Sequence, residues 1–141
     1  QPGAQPEAIL RKVVFGKSNM LGIKIYTVTQ PLDSSCSAVV AQARSISATA
    51  AVYQSAISAL FSGTTPSEKV AGYGTVLTEK FFVKSIAVDS NGLLTIDFSA
   101  PFVVSPVTSC RTSAAKAQIT KTLEQFPEVR AVNITIKGKP L

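Results

Sequence analysis

The residues able to do chemistry in this 141-residue chain are few, and their types exclude more than they allow. There is no histidine, which removes the commonest general base and the commonest nitrogen ligand for metals. A Ser–His or Cys–His nucleophile pair is therefore impossible. Two cysteines without histidine cannot supply the usual ligand sets of a structural zinc site. Eight Asp and Glu remain for a carboxylate pair. Asp89 and Asp97 flank a turn, on strands that need not bring them together; with Glu68 and Glu79 they are the set to test for a carboxylate-based hydrolase. Asp89, Asn91 and Gly92 have the opening of a calcium loop without its remaining ligands. Gly72-Tyr73-Gly74 lacks the wider fingerprint of a phosphate cradle. Asn133-Ile134-Thr135 satisfies a glycosylation sequon but falls in a strand pattern, and reads as coincidence. The expectation is a chain with no catalytic residue, no cofactor and no metal.

The two cysteines carry the strongest remaining signal. Cys packs like a small apolar residue, so a lone pair can be two buried thiols. Here Cys36 lies in Asp33-Ser34-Ser35-Cys36-Ser37 and Cys110 in Thr108-Ser109-Cys110-Arg111. Both settings are polar and loop-like, which suits a staple better than core filling. Such a bond would close a loop of about 75 residues, worth roughly 4 kcal/mol in the chain-entropy model. Its persistence implies an oxidising, extracytoplasmic compartment.

Fourteen Lys and Arg against eight Asp and Glu give a net charge of +6, which favours anionic neighbours. The basic residues are scattered (Lys12, Lys24, Lys80, Lys84, Arg111, Lys121, Lys137, Lys139), and the few aromatics are not interleaved with them as a base-stacking platform requires. No nucleic-acid partner is expected. A solvated basic surface is the simplest reading, and binding of an anionic cell-wall polymer is the alternative. No apolar stretch approaches the ~20 residues needed to span a bilayer, so a membrane would be met only through an anchor outside this chain. Residues 1–8, opening Gln1-Pro2-Gly3-Ala4-Gln5-Pro6, read as a flexible leader of a processed or trimmed chain. Residues 9–141 are expected to form a single domain.

The elements follow from periodicity. Leu21, Ile23 and Ile25 alternate with Lys24 and Tyr26, which predicts a strand from Met20 to Val28. A second strand is predicted over Ser37–Ser45, with Val39, Ala41 and Ala43 on one face; Ile9–Phe15 fits either a short strand or a helix. From Thr49 to Phe61 the spacing of Val52, Ala56, Ile57, Leu60 and Phe61 predicts an amphipathic helix, with Gly63 where a left-handed cap residue is wanted. Thr65 can cap a second, short helix over Pro66–Ala71: Pro66 fits its first turn, Glu68 can reach back to the capping amide, and Gly72 ends it. Phe81–Val88 and the alternating Leu94, Ile96 and Phe98 predict a hairpin around Asp89-Ser90-Asn91-Gly92. After an irregular Pro101–Ser109, a helix is predicted from Ser109 or Thr112 to Gln125. Its buried stripe is Ala115, Ile119, Leu123 and Phe126, with Pro127 as its stop. Val132, Ile134 and Ile136 predict a final strand ended by Gly138. The whole reads as α+β: a two-layer sandwich, with a mixed or antiparallel sheet of about four to five strands, two main helices on one face and one short helix.

Three segments resemble the sporulation-and-germination family called GerMN. They are Ala59-Leu60-Phe61-Ser62-Gly63-Thr64-Thr65-Pro66-Ser67-Glu68-Lys69 continuing to Gly72, Val88-Asp89-Ser90-Asn91-Gly92-Leu93-Leu94-Thr95-Ile96-Asp97-Phe98-Ser99, and Gln118-Ile119 through Thr122-Leu123-Glu124-Gln125-Phe126-Pro127-Glu128-Val129 to Gly138. The last is the most specific, and the likeness runs from about Met20 to Pro140. It departs at Gly63-Thr64-Thr65-Pro66, where the family commonly places Pro directly after Gly, and at Thr78-Glu79-Lys80, which lacks a Pro-Gly type of turn. The resemblance implies a bacterial envelope domain of the lipoprotein or spore-formation kind, acting as a non-catalytic interaction or assembly module with another envelope protein. It brings no catalytic residues. Gly63, Thr65, Pro66, Glu68, Gly72, Gly92, Phe98, Phe126 and Pro127 are read as caps, turns and core.

Overall fold

Strand β2 (Ser18–Thr29) is the spine of the first half of the chain. Its alternation buries Leu21, Ile23 and Ile25 and leaves Gly22 and Lys24 exposed. The computed structural model describes residues 12–15, 18–48 and 51–141. The leader read over 1–8 lies outside them. Of the stretch whose type the sequence leaves open, Lys12–Phe15 form strand β1, antiparallel to the start of β2. Strand β3 (Val40–Ser47) pairs antiparallel with the other side of β2, and the two-residue β4 (Tyr73–Gly74) pairs with its end at Val28 and Thr29.

Strand β3 begins three residues later than its composition predicts. Cys36 turns the chain first, with φ 64° and its amide bonded to Asp33 O at 3.0 Å. Ala41 and Ala43 do share a face, and it is the solvent face. Gln42, Arg44 and Ile46 oppose Ile25, Ile23 and Leu21 and so lie on the buried side. The alanines mislead because the inward positions beside them are polar.

Helix α1 (Val52–Phe61) buries Ala56, Ile57, Leu60 and Phe61. The sequence places its start at Thr49; residues 49 and 50 lie outside those described. Helix α2 (Pro66–Val70) follows. Strands β5 (Val83–Val88) and β6 (Leu93–Phe98) form the hairpin, and β6 buries Leu94, Ile96 and Phe98. In its turn only Gly92 has positive φ, at 85°. Asp89 Oδ1 accepts from the amides of Asn91 (2.8 Å) and Leu93 (3.0 Å), so the carboxylate organises the turn and Asn91 stays in ordinary backbone space. A Cβ on residue 92 would also fall 2.8 Å from Arg130 Cγ.

Helix α3 (Ser109–Glu124) then crosses over, and β7 (Ala131–Ile136) pairs parallel with β6. A Lys137-Gly138 turn, both residues at positive φ, adds β8 (Lys139–Pro140), a strand whose two residues carry no periodicity to read. The α+β class is the one expected. Its strands divide into two four-stranded sheets, β1–β4 and β5–β8, where alternation alone suggested one sheet of four to five. Strand pattern reports burial of a face and carries no record of which strand is the neighbour.

The two sheets meet on the helices. Helix α3 packs against both β2 and β7, and α1 packs against α3, β2 and β3. Ala114, Ala115, Ile119, Leu123 and Phe126 are fully buried there. Beside them Phe61 stacks on Phe81 with centroids 4.4 Å apart, and Phe98 meets Phe102 at 4.2 Å. Each ring fully buried contributes roughly 1.5–3 kcal/mol, so Phe61, Phe98 and Phe102 tie α1 firmly to the second sheet.

Candidate functional site

The polar residues of α3 explain how the helix is held, and they mark which surface is closed. Gln118 and Thr122 are buried at 0% exposure, on a helix whose apolar stripe gives no hint of them. Strand β2 has no neighbouring strand alongside Lys24 and Tyr26 on its α3 side, where β1 pairs only up to Leu21 and β4 only from Val28. Helix α3 supplies the missing partners. Gln125 accepts from Lys24 N at 2.9 Å and donates to Lys24 O at 2.6 Å; Thr122 Oγ1 accepts from Tyr26 N at 3.3 Å; Gln118 Nε2 donates to Tyr26 O at 2.9 Å. A helix face thus completes a strand edge, as buried or half-buried backbone groups require. The Thr122–Phe126 string carries this function together with the core: Phe126 is fully buried edge-on to Tyr53, and Pro127 is exposed just beyond the Gln125 cap.

The Gly63–Gly72 segment is organised by charge. Thr65 Oγ1 accepts from Glu68 N at 3.2 Å while Glu68 Oε1 accepts from Thr65 N at 3.0 Å, with Pro66 in the first turn. Arg44 of β3 grips the same carboxylate with both nitrogens, at 2.6 and 2.8 Å, and donates to Gly63 O at 3.3 Å. This pairing, then the Thr65 amide, holds the Glu68 carboxyl below its usual range. Gly63 and Gly72 adopt φ of 85° and 97°, which an L side chain would resist. Glu68 is therefore a structural anion, fixing α2 to the first sheet.

Cys36 and Cys110 are bonded, with Cα atoms 5.2 Å apart across 74 positions of sequence. The bond fastens the Gln30–Ser37 loop to the first turn of α3. Beside it lies a cleft of about 450 Å³ whose walls include Pro31, Leu32, Val76, Ser105 and Arg111. A second cleft of about 370 Å³ holds Thr64, Lys69 and Tyr73. Gln30 and Thr75 line both. Gly74 lies at this junction because the Gln30 carboxamide fills the space a Cβ would need.

The carboxylates considered for hydrolysis are not assembled. Asp89 is spent on its turn. Asp97 accepts from Thr135 Oγ1 at 2.5 Å and Gly138 N at 2.9 Å, which lowers its pKa and fastens the β7–β8 turn. The two sit at opposite ends of β6, roughly 13 Å apart along a strand rising about 3.3 Å per residue. Glu79 is exposed and Glu68 is paired to Arg44. Glu128, which the sequence does not single out, accepts from the Tyr53 hydroxyl; burial, then this carboxylate, raises the Tyr53 pKa far above normal. Among the described residues no three metal-ligating side chains cluster, and no helix is long and apolar enough to cross a membrane.

Among the described residues strands β1 and β4 pair only with β2 and are edges of four and two residues, and the other edges differ in how they meet solvent. Strand β5 carries a register shift between Val83 and Ser85 and an exposed Lys84. Strand β8 is two residues long and consists of Lys139 and Pro140. Both have devices that discourage strand addition. Strand β3 carries one inward-pointing charge, Arg44, but runs eight residues in unbroken register with β2, contains neither lysine nor proline, and pairs with no other strand among the described residues. Its outer face presents the small side chains of Ala41, Ala43, Ser45 and Ser47, and Ala43 O accepts from Arg44 Nη1 at 2.8 Å.

A family model described as sporulation and spore germination matches residues 24–141. Among solved structures, the first GerMN domain of the sporulation protein GerM from Bacillus subtilis is similar at TM-score 0.63 and 20% identity, over 85% of each chain. The tandem GerMN domains of that protein give 0.62 at 19% identity, covering 86% of this chain and 41% of that one. A candidate lipoprotein from Clostridium perfringens gives 0.53 at 16% identity, over 86% and 78%. At these identities the likeness speaks for the fold. No curated protein matches the chain.

Proposed function

The chain belongs to the sporulation-and-spore-germination family, and we propose that it serves as a non-catalytic assembly module of the bacterial envelope, on the outer side of the cytoplasmic membrane. The disulfide supports the oxidising location. The observation that carries the interaction reading is the contrast among edges: β2 is closed by α3, β5 and β8 are guarded, and β3 offers eight residues of regular strand. A partner protein adds an extended segment there, with main-chain hydrogen bonds giving affinity and the small outward side chains admitting close approach.

The test is photocrosslinking in intact cells of the source, with a photoreactive amino acid at Ala43 of β3 or at Ala87 of β5. The reading expects a discrete protein adduct from position 43 and none from 87. Adducts of equal yield from both, or from neither, overturn it.

A further inference from the structure

Apart from the β3 edge, the molecule carries a polar, cationic trough made of two adjoining clefts. The two clefts, one beside the disulfide and lined by Arg111, the other lined by Lys69, adjoin at Gln30 and Thr75, which line both. Among the described residues Arg111 and Lys69 are the only charged groups lining these clefts, and no carboxylate lines them. Among the described residues the only ion pair within 4 Å is Arg44–Glu68, so neither cation is held in one. Between them lie hydroxyls (Thr64, Thr75, Ser105), a carboxamide (Gln30) and the half-buried ring of Tyr73.

The backbone of the trough is already used. Gly72 O accepts from Gln30 N, Val76 N donates to Gln118 Oε1, and Val76 O accepts from Val104 N. A peptide strand would find few main-chain partners, whereas hydroxyls, a planar ring and separated cations suit a chain recognised through its substituents. We propose that this trough binds an anionic, hydroxyl-bearing cell-wall polymer, with Arg111 and Lys69 holding acidic groups and Tyr73 facing the polymer backbone. Arg111 donates to Pro106 O at 3.2 Å through one nitrogen, which orients the guanidinium and leaves its other donors for the ligand. The site is independent of the β3 edge, so the two readings fail separately.

The probe is poly(glycerol phosphate), titrated into the isotopically labelled 141-residue chain at low salt and followed by amide shifts and by calorimetry. The expected result is saturable binding that weakens as salt rises, with shifts concentrated at Gln30, Tyr73 and Thr75. Arg111→Gln with Lys69→Gln should lose at least tenfold in affinity. Lys116→Gln with Lys121→Gln, which removes equal charge from a shallower groove of about 410 Å³ along α3 lined by these lysines with Ser113 and Thr120, should change it less than threefold. Equal losses from both pairs, shifts elsewhere, no saturation, or poly-L-glutamate binding as tightly would each overturn the proposal. The shift map on the unaltered chain decides the matter even if the Arg111 variant fails to fold.

Discussion

Replacing Gln118 by leucine isolates the interaction that joins α3 to the first sheet. The side chain is fully buried and makes four contacts: Nε2 donates to Tyr26 O (2.9 Å) and Thr75 Oγ1 (3.0 Å), and Oε1 accepts from Val76 N (3.1 Å) and Thr75 Oγ1 (3.2 Å). Leucine has nearly the same volume, so no large cavity opens. It strands two backbone groups, each costing about 1–3 kcal/mol when left unpartnered. Burying the added apolar surface returns roughly 1–2 kcal/mol. The net loss should be about 2–3 kcal/mol, or roughly 6–10 °C in Tm for a domain of this size. Guanidinium unfolding followed by circular dichroism measures it, with Thr75→Val completing a double-mutant cycle. The Thr75 and Gln118 losses should be non-additive by about 1 kcal/mol. A Gln118→Leu variant as stable as the parent would refute the reasoning that α3 holds β2 through this amide.

Further outcomes follow from the same structure. Cys36→Ala with Cys110→Ala should lose about 4 kcal/mol, because the bond closes 74 positions of chain, and calorimetry should show Tm lower by roughly 12–15 °C. Gly92→Ala should cost about 1–2 kcal/mol in chemical unfolding, since φ of 85° disfavours an L side chain and the added Cβ meets Arg130. Because Arg44 depresses the Glu68 pKa, that pair contributes fully above the unfolded value of 4.5 and fades as pH falls through the lower folded value. Glu68→Gln should therefore destabilise by about 1 kcal/mol at pH 7, water screening most of the rest, and flatten the fall in stability below about pH 4.5.

Local chemistry was the legible part of this fold. The β5–β6 hairpin, the buried faces of β2, β6 and α1, and the apolar stripe of α3 each depend on residues a few positions apart, which periodicity reports. The cap of α2 lies within four consecutive residues and needs no tertiary information. What periodicity misses is non-local. The division into two sheets depends on which strands are neighbours, and the parallel pairing of β6 with β7 spans the whole of α3. Gln118, Thr122 and Gln125 look like solvent-facing helix residues, because their partners on β2 are backbone atoms about 100 positions earlier. Ala41 and Ala43 look like core because the charge beside them, Arg44, is paid for by Glu68 from another element. The β3 edge leaves no sequence signal of its own; its openness is visible only beside the guarded edges of β5 and β8. The trough likewise joins residues from three separate parts of the chain, 30–32, 64–76 and 104–111.

Amide hydrogen exchange on the partner-bound domain, captured from its own envelope and compared with the free domain, tests the assembly reading most directly. Slowed exchange confined to Val40–Ser47, with Val83–Val88 and Lys139 unchanged, is the predicted pattern. Unchanged exchange along β3 while another surface becomes protected would contradict it.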